Sequence, residues 1–235
     1  MNTERLSDRL ATVASYVPQG SKLADIGSDH AYLPCNLVRK DVVRFAIAGE
    51  VVEGPFQSAL KQVQAEGLTD RISVRKGDGL EVIQPGEVDC ITIAGMGGAL
   101  ITTILERGKA KLNQVKTIVL QPNIGAASIR KWMIENGWEL MAETILMEDG
   151  KIYEILVGEK GKPMKPYSEK VEAEILFGPF LLKDRNDVFR EKWTLEKQNW
   201  QRILSQLEKA EQNKETIEKK QEISRKILLV EEALQ

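Results

Sequence analysis

The chain has 235 residues, 42% of them hydrophobic, enough for one α/β domain with an appendage and a substantial core. A net charge of −2 and a pI of about 5.7 imply no nucleic-acid partner from bulk charge, so such a partner needs a local basic patch. With no run of 18 apolar residues, no charged-then-apolar leader, one histidine and two distant cysteines (Cys35, Cys90), the expectation is a cytoplasmic protein with reduced thiols, no metal and no membrane segment.

Residues 2–17 read as an amphipathic helix, with Thr3 as N-cap, Leu6, Leu10, Val13 and Val17 as its apolar stripe and Pro18 as its stop. Arg5 and Arg9 fall one turn apart on its exposed face, beside the expected ligand edge, a placement that also fits plain solvation. Leu23, Ala24 and Ile26 form a short strand that carries Asp25 and breaks at Gly27. Ser28, Asp29 and His30 follow, then Ala31, Tyr32, Leu33 and a helix containing Leu37 and Val38. Strand, glycine turn and helix turn backbone N–H groups toward a ligand. The dinucleotide fingerprint wants a second glycine where this chain has Asp29, whose carboxylate repels a pyrophosphate and suits a cationic ligand. Alone, Asp25-Ile26-Gly27-Ser28 fits an ordinary strand-to-helix turn as well.

Residues 44–49 read as the second strand, ending at Glu50 with Val51 beside it. An acid there can accept bonds from both hydroxyls of a ribose, or stand as a surface glutamate. Pro55 opens a helix whose Phe56, Leu60 and Val63 face inward, and Gly67 stops it. Residues 71–75 alternate as a third strand, followed by Gly77-Asp78-Gly79, a third acidic turn after Asp25 and Glu50 or an ordinary one. Residues 88–93 form the fourth strand and run into Ala94-Gly95-Met96-Gly97-Gly98, where something must approach the backbone closely. No phosphate-loop pattern is present there, and a helix follows over 99–105. Residues 117–120 make strand five. It ends in Gln121-Pro122-Asn123, two carboxamides that can read the edge of a base or form a polar loop. A helix over 126–135 stops at Asn136-Gly137, and residues 144–147 and 152–157 form a hairpin around Glu148-Asp149-Gly150.

Residues 161–166 read as a linker, dividing a domain over 1–160 from a helical one over 161–235. Phe189, Trp193, Trp200, Ile203, Leu207 and Ala210 follow a seven-residue repeat with Glu196 out of place. Ile223, Ile227, Val230 and Leu234 continue it out of phase, so a turn near Gln212-Asn213-Lys214 folds two helices into an antiparallel coiled coil. Trp193 and Trp200 are expected in the seam, and the surrounding lysines and arginines on its solvated flanks.

Five strands alternating with helices, then a hairpin, predict a seven-stranded sheet whose last strand inserts antiparallel. The glycine and acidic turns then converge on the carboxyl edge, where ligands bind in such sheets. This arrangement resembles the Rossmann-like S-adenosylmethionine-dependent methyltransferases, whose ligand is a cationic sulfonium. Residues 25–34, 94–98 and 121–123, with the tail, are further similar to the bacterial tRNA (adenine-N1)-methyltransferases that act on adenine 22 of the D-arm. The resemblance implies a monomeric enzyme, S-adenosylmethionine as methyl donor, and a helical C-terminal domain that helps hold tRNA. It implies a cofactor site of Asp25, Gly27, Ser28, Glu50, Val51, Asp78, Gly79, Ala94, Gly95 and Met96, with Asp78 meeting the cofactor's adenine.

Adenine N1 is unprotonated at neutral pH, so its methylation needs in-line positioning more than a base. The product is cationic, which makes Asp29 the candidate for electrostatic stabilisation and His30 its orienting neighbour. Gln121 and Asn123 are expected to hold the base edge, and Met96 to pack against adenosine or methyl. Arg5, Arg9, Arg39-Lys40, Arg130-Lys131 and the tail are expected on phosphates, giving the affinity that offsets extrusion of the base. Two rivals stand beside this reading. One is a methyltransferase of the same fold acting on a small molecule or protein; the other is a non-enzymatic scaffold built around the coiled coil.

Overall fold

Short apolar runs and one alternating stretch become five parallel strands in this computed structural model: β1 (Ser21–Ile26), β2 (Val43–Glu50), β3 (Ile72–Lys76), β4 (Cys90–Gly97) and β5 (Thr117–Ile124). The hairpin β6 (Trp138–Glu148) and β7 (Lys151–Lys160) completes one sheet of order β3-β2-β1-β4-β5-β7-β6, with β7 antiparallel to both its neighbours. In β1 every residue except Lys22 is buried, the pattern of a strand covered on both faces. The described residues are 2–209 and 213–235, and they divide into two units, Met1–Glu169 and Lys170–Gln235.

Five helices cover the sheet: α1 (Asp8–Ser15), α2 (Tyr32–Arg39), α3 (Glu53–Ala65), α4 (Gly98–Arg107) and α5 (Ala126–Glu135). Val13 of α1, Leu33 and Leu37 of α2, and Ala59 and Val63 of α3 pack with Leu23, Ala46, Ala48 and Val119 of the strands in one core cluster. The first helix is shorter than its periodicity predicts. Ser7 is its N-cap, accepting from the Leu10 N–H, while Thr3 donates to Glu66 at 2.5 Å and its carbonyl accepts from Asn36. Asn2 accepts from the Glu4 and Arg5 N–H groups, so residues 2–6 form a side-chain-held turn in place of the expected first helical turn. Val17 is buried as expected, though it lies beyond the helix. Residues 161–166 are tied to the sheet by Glu139, which accepts from the Lys162 N–H and pairs with Lys165 at 2.7 Å.

The second unit consists of α6 (Val171–Phe177), α7 (Pro179–Asp184), α8 (Asp187–Lys209) and α9 (Lys214–Leu234). Helices α8 and α9 run antiparallel: Lys197 meets Glu231, and Arg190 donates to the Leu234 carbonyl. Phe177 and Trp193 pack edge to face at 4.6 Å, with Phe189 and Trp200 about 6.2 Å from Trp193, so the tryptophans serve packing. Ile223 and Val230 are buried as the slipped repeat predicts. Leu229 and Ala233 are buried with them and widen the stripe. The expected positions at Ala210 and Gln212 lie outside the described residues.

Arg130 corrects another expectation. Placed on phosphates by its basic neighbour Lys131, it is 0% exposed on α5, its Nε donating to Glu143 and its Nη2 to Glu154, each at 2.6 Å. Burial alone would lower the Arg130 pKa, but the two carboxylates more than offset it and hold the guanidinium charged. The cluster fastens α5 to both strands of the hairpin. Arg130→Met should therefore cost about 3–5 kcal/mol in urea unfolding, since it leaves two carboxylates buried together. The deficit should shrink as the pH is lowered and those carboxylates protonate. A loss below about 1 kcal/mol would contradict the assignment.

Candidate active site

The carboxyl edge of the sheet is built by turns whose polar groups are satisfied from neighbouring strands. After β1 the chain turns at Gly27, and φ is positive at Gly27 (71°), Asp29 (54°) and Ala31 (55°) before α2 begins. The Gly27 and Ser28 N–H groups both donate to the Gly49 carbonyl of β2. A Cβ at Gly27 would lie 2.2 Å from the Met96 methyl, so only glycine lets Met96 rest against this turn.

Asp25, buried in β1, accepts at 2.6 Å from Ser28 within the turn and at 2.6 Å from Thr92 on β4. Burial pushes its carboxyl above the usual range, with the two hydroxyls pulling the other way. Glu50, buried at the end of β2, accepts a short hydrogen bond from the Asp29 N–H. Its carboxyl is also raised by burial, opposed by that N–H and reinforced by the charges of Asp29 and Asp25. Both acids thus hold the turn that precedes α2.

A second device sits on β4. The β4–β5 register shifts between Ala94 and Met96, leaving Gly95 (φ 80°) without a cross-strand partner. Gln121, 0% exposed, accepts from the Gly95 N–H at 3.0 Å, and Asn123 donates to the Gly95 carbonyl at 2.8 Å. The two carboxamides bracket the one residue Gly95 and meet each other at 3.4 Å. Arg9 completes the bracket, donating to the Gln121 oxygen at 2.5 Å while its guanidinium lies 5.2 Å from the centre of the Tyr153 ring. Gly98 explains the close approach expected in this glycine run: a Cβ there would lie 2.2 Å from the Gly125 carbonyl oxygen.

Asp25, Gly27, Ser28, Asp29, Ala94, Gly95 and Met96 line one cavity of about 300 Å³, together with Arg9, Leu10, Tyr32 and Leu33. Asp78 and Gly79 line another of about 140 Å³ with Leu100, Ile104 and Arg107. Glu50 and the exposed Val51 end the strand that stands between them in the sheet order. His30 stacks on Tyr32 at 5.2 Å, with its Nε2 3.8 Å from Asp29, and lies outside the cavity lining. Gln121 and Asn123 stand behind Gly95 and line neither space. Thr92 completes the site without having been singled out from sequence, while Arg9, expected beside the ligand edge and on phosphates, lines the cavity and holds Gln121. Thr92 becomes visible only once the register opposes it to Asp25.

A family model described as TrmK, tRNA (adenine(22)-N(1))-methyltransferase, matches residues 23–232. The chain belongs to this family. It is 50% identical to the tRNA (adenine(22)-N(1))-methyltransferase of Bacillus subtilis (strain 168), over 100% of this chain and 99% of that one. The crystal structure of the B. subtilis m1A22 tRNA methyltransferase TrmK superposes with a TM-score of 0.95 at 49% identity, covering 99% of this chain and 100% of that one. A Streptococcus pneumoniae structure in complex with S-adenosyl-L-methionine gives a TM-score of 0.87 at 44% identity, over 98% and 100% of the two chains.

The raised carboxyls of Asp25 and Glu50 carry a pH signature. A folded-state pKa above the unfolded one contributes stability that is full below the unfolded value and is lost as pH rises through the folded value. Asp25→Asn removes one such group. The stability of the wild type minus that of the variant should therefore fall as the pH rises above the ordinary aspartate value of roughly 4 in urea unfolding. A difference that stays constant or grows with pH would contradict the assignment.

Proposed function

We propose that this protein transfers the methyl group of S-adenosylmethionine to N1 of adenine 22 in tRNA. The observation that carries the reading is full-length similarity to tRNA (adenine(22)-N(1))-methyltransferases, on a chain whose glycine and acidic turns meet at one sheet edge. The residues present suit the cofactor. Gly27 lets Met96 pack against the turn where a Cβ would clash, and the cavity beside it is lined by the acidic residues Asp25 and Asp29. Glu50 stands at the strand end suited to a ribose, with the exposed Val51 as an apolar contact and Asp78 beyond it for the adenine. When bound, the cofactor supplies an electrophilic methyl on a sulfonium.

Asp29 is the proposed electrostatic group. Its backbone is fixed by Glu50 while its side chain stays largely exposed at the cavity, which leaves its carboxylate free to stabilise a cationic base. His30 lies beside it as an orienting neighbour. The exposed Asn123 is the carboxamide available to a base edge, and the fully buried Gln121 serves by fixing Gly95 and hence Met96. The helical unit is proposed to help hold the tRNA, and the protein to act in the cytoplasm as a monomer. No helix among the described residues is long and apolar enough to cross a membrane. Arg130 contributes nothing to phosphate binding, and Arg39 is engaged by Glu66 at 2.5 Å.

Labelled methyl transfer from S-adenosylmethionine to unmodified tRNA, against the same tRNA with guanine at position 22, tests the reading. Label in the first and none in the second is expected; equal label in both, or none in either, overturns the assignment. Binding of tRNA should also weaken steeply between about 50 and 200 mM salt despite the acidic pI, because phosphate contacts release counterions. Salt-independent binding would contradict phosphate-led recognition.

A further inference from the structure

Adenine N1 lies on the pairing edge of the base, and within a stem the base is stacked above and below. A methyl donor at the carboxyl edge of the sheet reaches that atom only after the base has left the stack, which costs unstacking energy. Proteins that open a stack commonly push an apolar side chain into it. Such a side chain has to be exposed, held on a rigid backbone and close to the groups that receive the base.

Single apolar residues scattered over a surface need no explanation. Here they gather on one edge: Val51 and Val52 follow β2, Leu100 lies in the first turn of α4, and Ile124 ends β5. Leu100 lines the cavity of Asp78, whereas Ile124 lines neither of the two cavities described above. At 77%, Ile124 is also the most exposed of the four.

The backbone of Ile124 is held on both sides. It opposes Gly97 in the β4–β5 register. Asn123 before it donates to the Gly95 carbonyl at 2.8 Å, and the Gly125 carbonyl after it accepts from the Ser128 N–H at 3.1 Å and hydroxyl at 2.7 Å. Helix α4 closes on the same turn through Gly98. A β-branched side chain adds a stiff χ1 to this fixed backbone, so little freedom is lost when it enters a stack. Neighbouring strand residues point to opposite faces, so Asn123 turns toward Gly95 and Ile124 turns away from it. One peptide bond therefore carries a carboxamide suited to a base edge on one side and an exposed apolar side chain on the other.

We infer that Ile124 is the wedge that enters the place vacated by the target base, while Asn123 meets the base itself. Ile124 is a positioning residue, since it touches the bases that remain stacked and not the reacting atoms. The inference rests on the adenine-methylation reading and adds to it the means by which the base is held out of its stem.

The test measures single-turnover methyl transfer by the full-length protein and its Ile124→Ala and Ile124→Leu variants on two tRNAs. One is the unmodified tRNA; in the other, the residues facing adenine 22 and its neighbours are replaced so that this part of the D-arm stays open. Because Ile124 is exposed, both variants should fold as the wild type does. Ile124→Ala should slow transfer to the first tRNA by about tenfold and to the second by less than about twofold, because an open strand needs no wedge. Ile124→Leu should keep most of the rate on both, and all three proteins should bind S-adenosylmethionine equally. Equal slowing on both tRNAs, or no slowing on either, overturns the inference. A second readout needs no turnover of the opened tRNA: 2-aminopurine in place of adenine 22 fluoresces more when unstacked. With saturating protein and S-adenosylhomocysteine it should brighten more with wild type than with Ile124→Ala, and equal signals from the two overturn the inference. If the wild type methylates neither tRNA, the proposed function fails and the inference with it. If it methylates both and Ile124→Ala matches it, only the inference fails.

Discussion

The site depends on the hydrogen bonds that two buried carboxylates make to the chain around them. Asp25 ties β1 to β4 through Thr92 and to its own turn through Ser28, while Glu50 takes the Asp29 N–H from the next strand over. Each is held in a place where burial disfavours its charge, so each fixes the turn at some cost to stability. The return is a backbone that runs through three positive-φ residues within five positions and still has defined partners. Strain of this kind persists only where the surroundings over-determine it.

The second half of the edge follows the same logic with neutral groups. A shift in register frees both hydrogen-bonding groups of Gly95, and two carboxamides from β5 take them up. This couples distant pieces of the fold. The Arg130 cluster fastens the hairpin to α5, the hairpin's Glu148 seats α1, and Arg9 of α1 fixes the orientation of Gln121. The geometry beside Met96 is therefore supported from elements on either side of it in the sequence.

Much of the fold was legible because parallel strands covered on both faces write themselves as short apolar runs. The helix over residues 126–135 was legible to the residue because Gly125 and Asn136-Gly137 bracket it. The first helix was misread at its start because Thr3 and Ser7 are both competent caps, and Glu66, 63 positions away from Thr3, decides between them. Arg130 was misread for a related reason: beside Lys131 it looks like basic surface, and its two carboxylates are brought to it only by strand pairing. The glycine and acidic turns showed where the site lies. Which atoms face inward and which are committed to the backbone depends on register across β1, β2, β4 and β5, and local sequence carries no record of that.

The central claim is that this edge is preformed, its acids and amides committed to partners within the protein before any ligand arrives. Amide hydrogen exchange of the full-length protein, resolved at Asp29 and Gly95 and measured with and without S-adenosylhomocysteine, tests it directly. These N–H groups are the ones bonded to Glu50 and Gln121. Protection at both sites approaching that of the central strands in the ligand-free protein is the result the account predicts. Loop-like exchange at both amides until the ligand is added would contradict it.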